Sequence, residues 1–249
     1  MKHLNRIEKE HDVKIIMACE SGSRAWGFPS RNSDYDVRFI YTHTMDWYLT
    51  VGKKKDVIEI PVDDMLDING WDLRKSIQLL RKSNTALIEW LSSPIRYRCD
   101  DSCIEPFIAL SKKAFPPVSS CHHYLSMAKK CLSDTDDADE VRIKSYLYAL
   151  RTVLCCKWII KHMNQPPMHI SDLLSALIPD DKMRSEIENL IRVRRESSEK
   201  ALTKRSSVIE DYLKDQLSRL PDEIPGKQTQ LHREDFDVVF REILNKSGK

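Results

Sequence analysis

Strand-length apolar runs crowd the first hundred residues and nearly vanish after about residue 105, where the apolar pattern takes on a helical period. Strand residues alternate faces and helix residues recur every three to four positions, so the switch divides the chain into an α/β part followed by an all-helical part. KIIMAC (14–19) is a near-continuous apolar run, as expected of a strand covered on both faces. DVRFIYT (36–42) is rich in aromatic and β-branched residues, and VIEIPV (57–62) and MLDI (65–68) read as two further strands interrupted by acids. Residues 2–11 read as a short amphipathic helix with Leu4 and Ile7 on one face. WDLRKSIQLLRK opens a helix near Asp72, NTALIEWL (84–91) a second with Asn84 as its N-cap, and IRYRC reads as a returning strand.

Helices are then expected in SSCHHYLSMAKKCL, in DEVRIKSYLYALRTVLCCKWIIKHM, in ISDLLSALI, in the long run from KMRSEIENL to IEDYLKDQL, and in EDFDVVFREIL (234–244). The breakers between them are Pro116-Pro117, residues 133–139, Asn164 with Pro166-Pro167, Pro179, and a linker from Pro221 to Gln230. Forty basic residues against thirty-eight acidic ones leave a net charge of +2, so any nucleic-acid binding must come from local clustering of charge. Seven cysteines in mostly apolar contexts suit a reducing cytoplasm, with no membrane segment and no leader pattern. Cys99 with Cys103, and Cys121 with His122, His123 and Cys131, are spaced too loosely for a structural zinc site and read as buried or loop residues.

The chemistry concentrates in CESGSRAWGFPSRNSDYDVRFIY, starting at Cys19. Gly22 and Ser23 follow an apolar strand, where a glycine lets the backbone approach a bulky anion and the amides and hydroxyl can face it. Arg24 can add a charge-assisted contact; taken alone, such a stretch is simply a turn. Asp34 and Asp36 fall at strand alternation, which puts both carboxylates on one face. Side by side they repel unless a cation sits between them, and hard oxygen ligands select Mg²⁺. A third acid on a neighbouring strand would complete a two-metal cluster. Asp67, flanked by Leu66 and Ile68, is the favoured candidate and Glu59 the alternative; Asp63 and Asp64 read as a turn and Asp72 as a helix start.

Gly-Ser, about ten residues, Asp-x-Asp entering a strand, then a single acid between apolar residues: this order resembles the DNA polymerase β-like nucleotidyltransferase superfamily. ESGSRAWGF, SDYDVRFIY, DINGWDLRK, LIEWLSSPI and YLYALR are more closely similar to the predicted nucleotidyltransferases of RNA repair, the RNA-ligase-associated polymerase β-like group. The resemblance covers most of the chain up to about residue 175. It implies an α+β fold, with a small mixed-sheet nucleotidyltransferase domain over 1–104 and a helical bundle domain over 105–249. It also implies transfer of a nucleoside monophosphate from a nucleoside triphosphate such as ATP to a hydroxyl, with release of pyrophosphate. The acceptor it points to is an RNA end, of tRNA or another RNA. Protein or small-molecule acceptors, and a non-catalytic nucleotide-binding module, stand as alternatives.

In this family pattern Gly22 and Ser23 cradle the triphosphate, Asp34 and Asp36 hold two Mg²⁺ ions (with Mn²⁺ able to replace them), and Asp67 binds the catalytic metal. Trp26-Gly27-Phe28-Pro29 is an addition expected to form a rigid flap beside the site. Lys144, Tyr148 and Arg151 share one helix face, which resembles the nucleotide contact of related two-domain enzymes, or else is a solvated side with tyrosine packing. Arg74 and Lys75 read as salt-bridge partners. Arg192, Arg194, Arg195, Lys200, Lys204 and Arg205 form a basic stretch on one long helix, an RNA contact or an ordinary solvated face given Glu196 and Glu199 among them. Trp26, Trp71 and Trp90 could stack on bases, with Trp90 the better core residue; His122 and His123 take no assigned role.

Overall fold

The computed structural model describes residues 2–63, 65–133, 139–226 and 232–248, with the side chains of 61–63 set aside. Helix α1 (Lys2–His11) leads into β1 (Lys14–Glu20), the short helix α2 (Gly22–Trp26), β2 (Tyr35–Thr42) and the single turn α3 (Met45–Tyr48). Next come β3 (Val57–Asp63), β4 (Leu66–Asp72), α4 (Leu73–Arg81), α5 (Thr85–Leu91), β5 (Arg96–Cys99) and α6 (Asp101–Lys113). After Phe115 the order is α7 (Pro117–Ser133), β6 (Glu140–Arg142), α8 (Ile143–His162), α9 (Ile170–Leu177), α10 (Asp181–Glu196), β7 (Leu202–Lys204), α11 (Ser207–Glu223) and α12 (Arg233–Ser247). None of the described helices is long and apolar enough to cross a membrane.

Five strands form one mixed sheet in the order β3-β4-β2-β1-β5, with β2 and β4 parallel and the remaining neighbours antiparallel. Residues 15–20 of β1 are all buried, which is why that strand carries no polar alternation. On one face Leu4 and Ile7 of α1 pack with Ile15, Ala18, Val37, Phe39 and Ile68. Helix α4 packs on β2 and β4, α6 on β1, and α12 on α6 and α4. Gly70 is a close-approach glycine: opposite Phe39 in the β2–β4 register, a β-carbon there would lie 2.2 Å from the phenyl ring.

The chain divides into two compact units that do not follow a boundary at 104/105. The sheet unit takes the residues up to Ala25, then Asp34–Phe115, and also the C-terminal helix α12; the helical unit takes Trp26–Ser33 and the stretch from Pro116 through α11. Helices α6 and α12 therefore belong with the sheet, because α6 lies against β1 and α12 against α4 and α6.

Helix caps fall where the sequence placed them: Asp72 accepts from the Arg74 amide at 2.8 Å and Asn84 from the Leu87 amide at 2.9 Å. Three expectations fail. The long helix across 182–217 is broken into α10 and α11, with β7 between them paired to β6. Ser206 stops the helical run by capping α11 through the Ile209 amide at 3.2 Å, and the Arg194 guanidinium binds the carbonyls of Ser198 and Glu199 as the chain leaves α10. Residues 140–142, read as helix, are the β6 strand that this break allows to pair. The linker expected from Pro221 starts later, since α11 continues through that proline to Glu223. The turn assigned to Asp63-Asp64 lies outside the described residues at position 64 and at the Asp63 side chain, as do most of the 133–139 breaker and the end of the 221–230 linker.

Candidate active site

β1 ends at Glu20, and the turn into α2 is made by Gly22 with φ +62°, in the left-handed region that favours glycine. The need is steric as well: a β-carbon on Gly22 would lie 2.4 Å from Oδ2 of Asp36. The turn is stitched to β2 by the Ser21 amide, which donates to the Asp36 carbonyl at 2.9 Å, and by the Asp36 amide, which donates to Glu20 Oε1 at 2.9 Å. Tyr97 on β5 donates its hydroxyl to the other oxygen of Glu20. Burial pushes the Glu20 carboxyl above the usual carboxylate range, and the bonds from Tyr97 and the Asp36 amide only partly hold it back.

The parallel register of β2 and β4 sets Asp36 opposite Asp67. One nitrogen of Arg38, two residues along β2 and so on the same face, bridges them: Nη2 donates to Asp36 Oδ1 at 3.0 Å and to Asp67 Oδ2 at 2.7 Å. Its Nη1 donates to the Asp67 carbonyl at 3.1 Å, which fixes the guanidinium plane. Two carboxylates held side by side are tolerated because a cation lies between them. Hard carboxylate oxygens are also the ligands that divalent ions such as Mg²⁺ take.

Asp34 lies just outside the strand whose alternation was to place it. It stands before β2 begins, it is exposed, and its carbonyl accepts from Arg24 Nε at 3.0 Å. Arg24 in turn lies over the Tyr35 ring, its Cζ 3.9 Å from the centroid. Among the described residues no three acidic, histidine or cysteine side chains converge as a metal-binding group, and the acids that the register sets opposite each other are Asp36 and Asp67. Glu59, the alternative third acid, accepts from Asn69 Nδ2 at 3.1 Å. Ser23 is buried in the turn.

Within the helical unit, Lys144, Tyr148 and Arg151 do share a face of α8, and that face packs against the Trp26–Ser33 loop. Tyr148 stands edge-on to Trp26 and Phe28 at ring distances of 4.9 and 5.8 Å, and the buried Arg151 guanidinium lies 4.3 Å from the Trp26 ring centre. Trp26 is thus an anchored ring, and Trp71 stacks on Trp90 at 3.8 Å.

Glu199 is the hub that sequence reasoning missed. It accepts from Lys144 Nζ at 2.6 Å, Ser30 Oγ at 2.8 Å, Ser33 Oγ at 3.2 Å and Arg194, while its amide donates to Asn32 Oδ1 at 3.0 Å. Burial alone would raise its carboxyl, but Lys144, Ser30 and Arg194 outweigh that and hold it at about 2. The basic stretch is correspondingly dispersed: Arg194 is buried on Glu199, Arg195 donates to the Gly27 carbonyl at 2.8 Å, and Lys204 sits on β7. Arg38 was legible in principle, since an arginine two residues past Asp36 in a strand must share its face. Glu199 carried no signal beyond being an acid in a basic run.

A mixed sheet with a glycine turn abutting one of two register-matched carboxylates agrees with the polymerase β-like arrangement that the sequence resembles. More narrowly, the model of the RlaP family, described as the RNA repair pathway DNA polymerase beta family, matches residues 1–242, and the chain belongs to that family. A protein of Bacillus subtilis (strain 168), described as uncharacterized protein YcgL, is 41% identical over 241 residues, covering 97% of this chain and 92% of its own. A crystal structure of a nucleotidyltransferase-like protein from Exiguobacterium sibiricum 255-15 is similar over 90% of this chain and 73% of its own, at 12% identity. Its TM-score of 0.32 carries no argument.

Proposed function

We propose that the protein is a nucleotidyltransferase that moves a nucleoside monophosphate from a nucleoside triphosphate to the hydroxyl of an RNA end, releasing pyrophosphate. The observation that supports it most is the Asp36–Asp67 pair, matched across parallel strands with the Gly22 turn against one carboxylate. Asp36 and Asp67 would hold Mg²⁺ or Mn²⁺, with Asp34 at the mouth of β2 as a further oxygen donor. The ion, when bound, would offset charge on the triphosphate and lower the pKa of the acceptor hydroxyl.

The chain's own residues do the positioning. Gly22 and Ser23 give the triphosphate a close backbone approach. Asp67 orients the acceptor hydroxyl and takes its proton as the oxygen attacks the α-phosphorus and the bond to pyrophosphate breaks. Glu20, held by Tyr97 and the Asp36 amide, keeps Asp36 in register with the turn. On α8 of the helical unit, Lys144 and Tyr148 are the proposed nucleotide contacts, while Arg151, buried against Trp26 and donating to the Met168 carbonyl, positions that face.

A protein or small-molecule hydroxyl is the second reading, favoured by the inward turn of Arg194, which removes a charge from the basic stretch of residues 192–205. Incubation with α-labelled triphosphates and mixed RNA and protein acceptors separates the two. Label on RNA is expected; label on protein alone overturns the RNA choice. Asp36→Asn and Asp67→Asn should each cut transfer at least about a hundredfold with the fold intact, and full activity in either would remove the site assignment.

A further inference from the structure

A cleft of about 250 Å³ lies between α4 and α12 in the sheet unit, and no part of the proposed chemistry uses it. Three arginines converge on it from the two helices, Arg74 and Arg81 from α4 and Arg233 from α12, against a single acid, Asp237. Their states differ in a way that suits anion binding. Arg74 is pre-set: its Nη2 donates to the Tyr48 carbonyl at 2.8 Å, and its guanidinium lies 4.9 Å from the Tyr48 ring and 5.7 Å from the Phe240 ring. Arg233 holds Asp237 only loosely, at 3.9 Å, in an exposed pair of the kind that contributes little. Arg81 is exposed and has no hydrogen-bond or ion-pair partner among the described residues. Phe240, half-buried and edge-on to Tyr48 at 5.3 Å, lines the same cleft.

We infer that this cleft is a phosphate-binding subsite for single-stranded RNA, with the arginines on the backbone and Phe240 offering a ring face to a base. Backbone phosphates held by arginines and bases laid on aromatic rings are how single strands are bound without sequence preference. The cleft is lined by α4 and α12 and by none of the strand residues that carry Asp36 and Asp67, so it would hold the body of an acceptor rather than its reacting end. The inference rests on the RNA reading of the function, while its test is separable from it.

The test is binding of a fluorescent single-stranded RNA to full-length protein, wild type against Arg81→Ala and the double variant Arg81→Ala/Arg233→Ala. Thermal melting confirms that the fold persists, which is expected because neither side chain holds a close bond. Each lost phosphate contact should flatten the salt dependence by about 0.7 in log–log slope. The double variant's deficit should then shrink by about sevenfold as salt rises from about 50 to about 200 mM. Inorganic phosphate and free triphosphate serve as competitors: displacement only by RNA supports a strand site, and equal displacement by free phosphate assigns a simple anion site and overturns the RNA claim. Unchanged RNA affinity in the double variant also overturns it. Loss of affinity in a protein whose label transfer proves absent keeps the cleft and removes the enzyme reading. Transfer without any effect of these arginines does the reverse.

Discussion

Gly22→Ala tests the coupling between the turn and the carboxylate pair. At φ +62° a β-carbon costs roughly 1–2 kcal/mol. The stiffer unfolded chain returns roughly 0.4–1 kcal/mol of that. The net backbone cost is about 1 kcal/mol, modest against the stability of a domain. The larger effect is local. The new methyl would lie 2.4 Å from Asp36 Oδ2, and ordinary contact begins at 3.4 Å, so the two atoms must separate by about 1.0 Å (3.4 − 2.4). The obstacle is the end of a side chain, so the carboxylate is displaced from the position it holds between Gly22 and Arg38 while the strands stay put. A misplacement of that size costs on the order of a hundredfold in rate, or about 2.7 kcal/mol of transition-state stabilisation. Urea denaturation and single-turnover label transfer, run on the same preparation, should give a loss near 1 kcal/mol in the first and about a hundredfold in the second. A folded variant with transfer within threefold of wild type would refute the link between turn and carboxylate.

Two further perturbations separate charge from shape. Arg38→Gln removes the cation between Asp36 and Asp67; with these side chains 17–36% exposed, the loss should be about 1 kcal/mol. Millimolar Mg²⁺ should recover it in a thermal melt, and a variant indifferent to Mg²⁺ would argue that the pair does not accept a divalent ion. Asp72 is buried beneath Tyr48, whose hydroxyl donates to it at 2.6 Å, and burial raises its carboxyl to about 6 despite bonds from Tyr48 and the Arg74 amide. A raised carboxylate pKa means the folded state holds the proton more tightly, so this contribution to stability is full below about pH 4 and lost as pH rises through 6. Relative to Asp72→Asn, the wild type should lose about 2 kcal/mol between pH 4 and 7 in denaturation curves; parallel curves would show that Asp72 titrates normally.

The strands were legible because burial on both sides leaves an unbroken apolar run, as in Ile15 to Cys19, and the caps because Asp72 and Asn84 each stand where an orphan amide needs an oxygen. Asp36 and Asp67 were identifiable as acids inside apolar strands, whereas their pairing depends on a parallel register that no local pattern encodes. Asp34 stands one residue before β2, which begins at Tyr35, so strand alternation does not by itself set its side chain beside Asp36. The break after Glu196 escaped notice because Ser197 to Ser206 keeps the polarity of an exposed helix, and what ends the helix is a buried Arg194 binding carbonyls further along. Helix α12 reads as an ordinary amphipathic segment, and only tertiary packing assigns it to α4 and α6.

The route of the backbone makes this protein hard to dissect. The eight residues between Trp26 and Ser33 are bracketed on both sides by the sheet unit yet fold with the helices, and the final helix rejoins the sheet unit after the helical stretch ends. A fragment stopped at Phe115 would retain all three acids but forfeit Phe236, Ile243 and Leu244, which α12 buries, and the anchorage of the segment just upstream of β2. Chemistry and scaffold are thus written in interleaved stretches, and a shortened gene should yield an aggregating product rather than a minimal transferase.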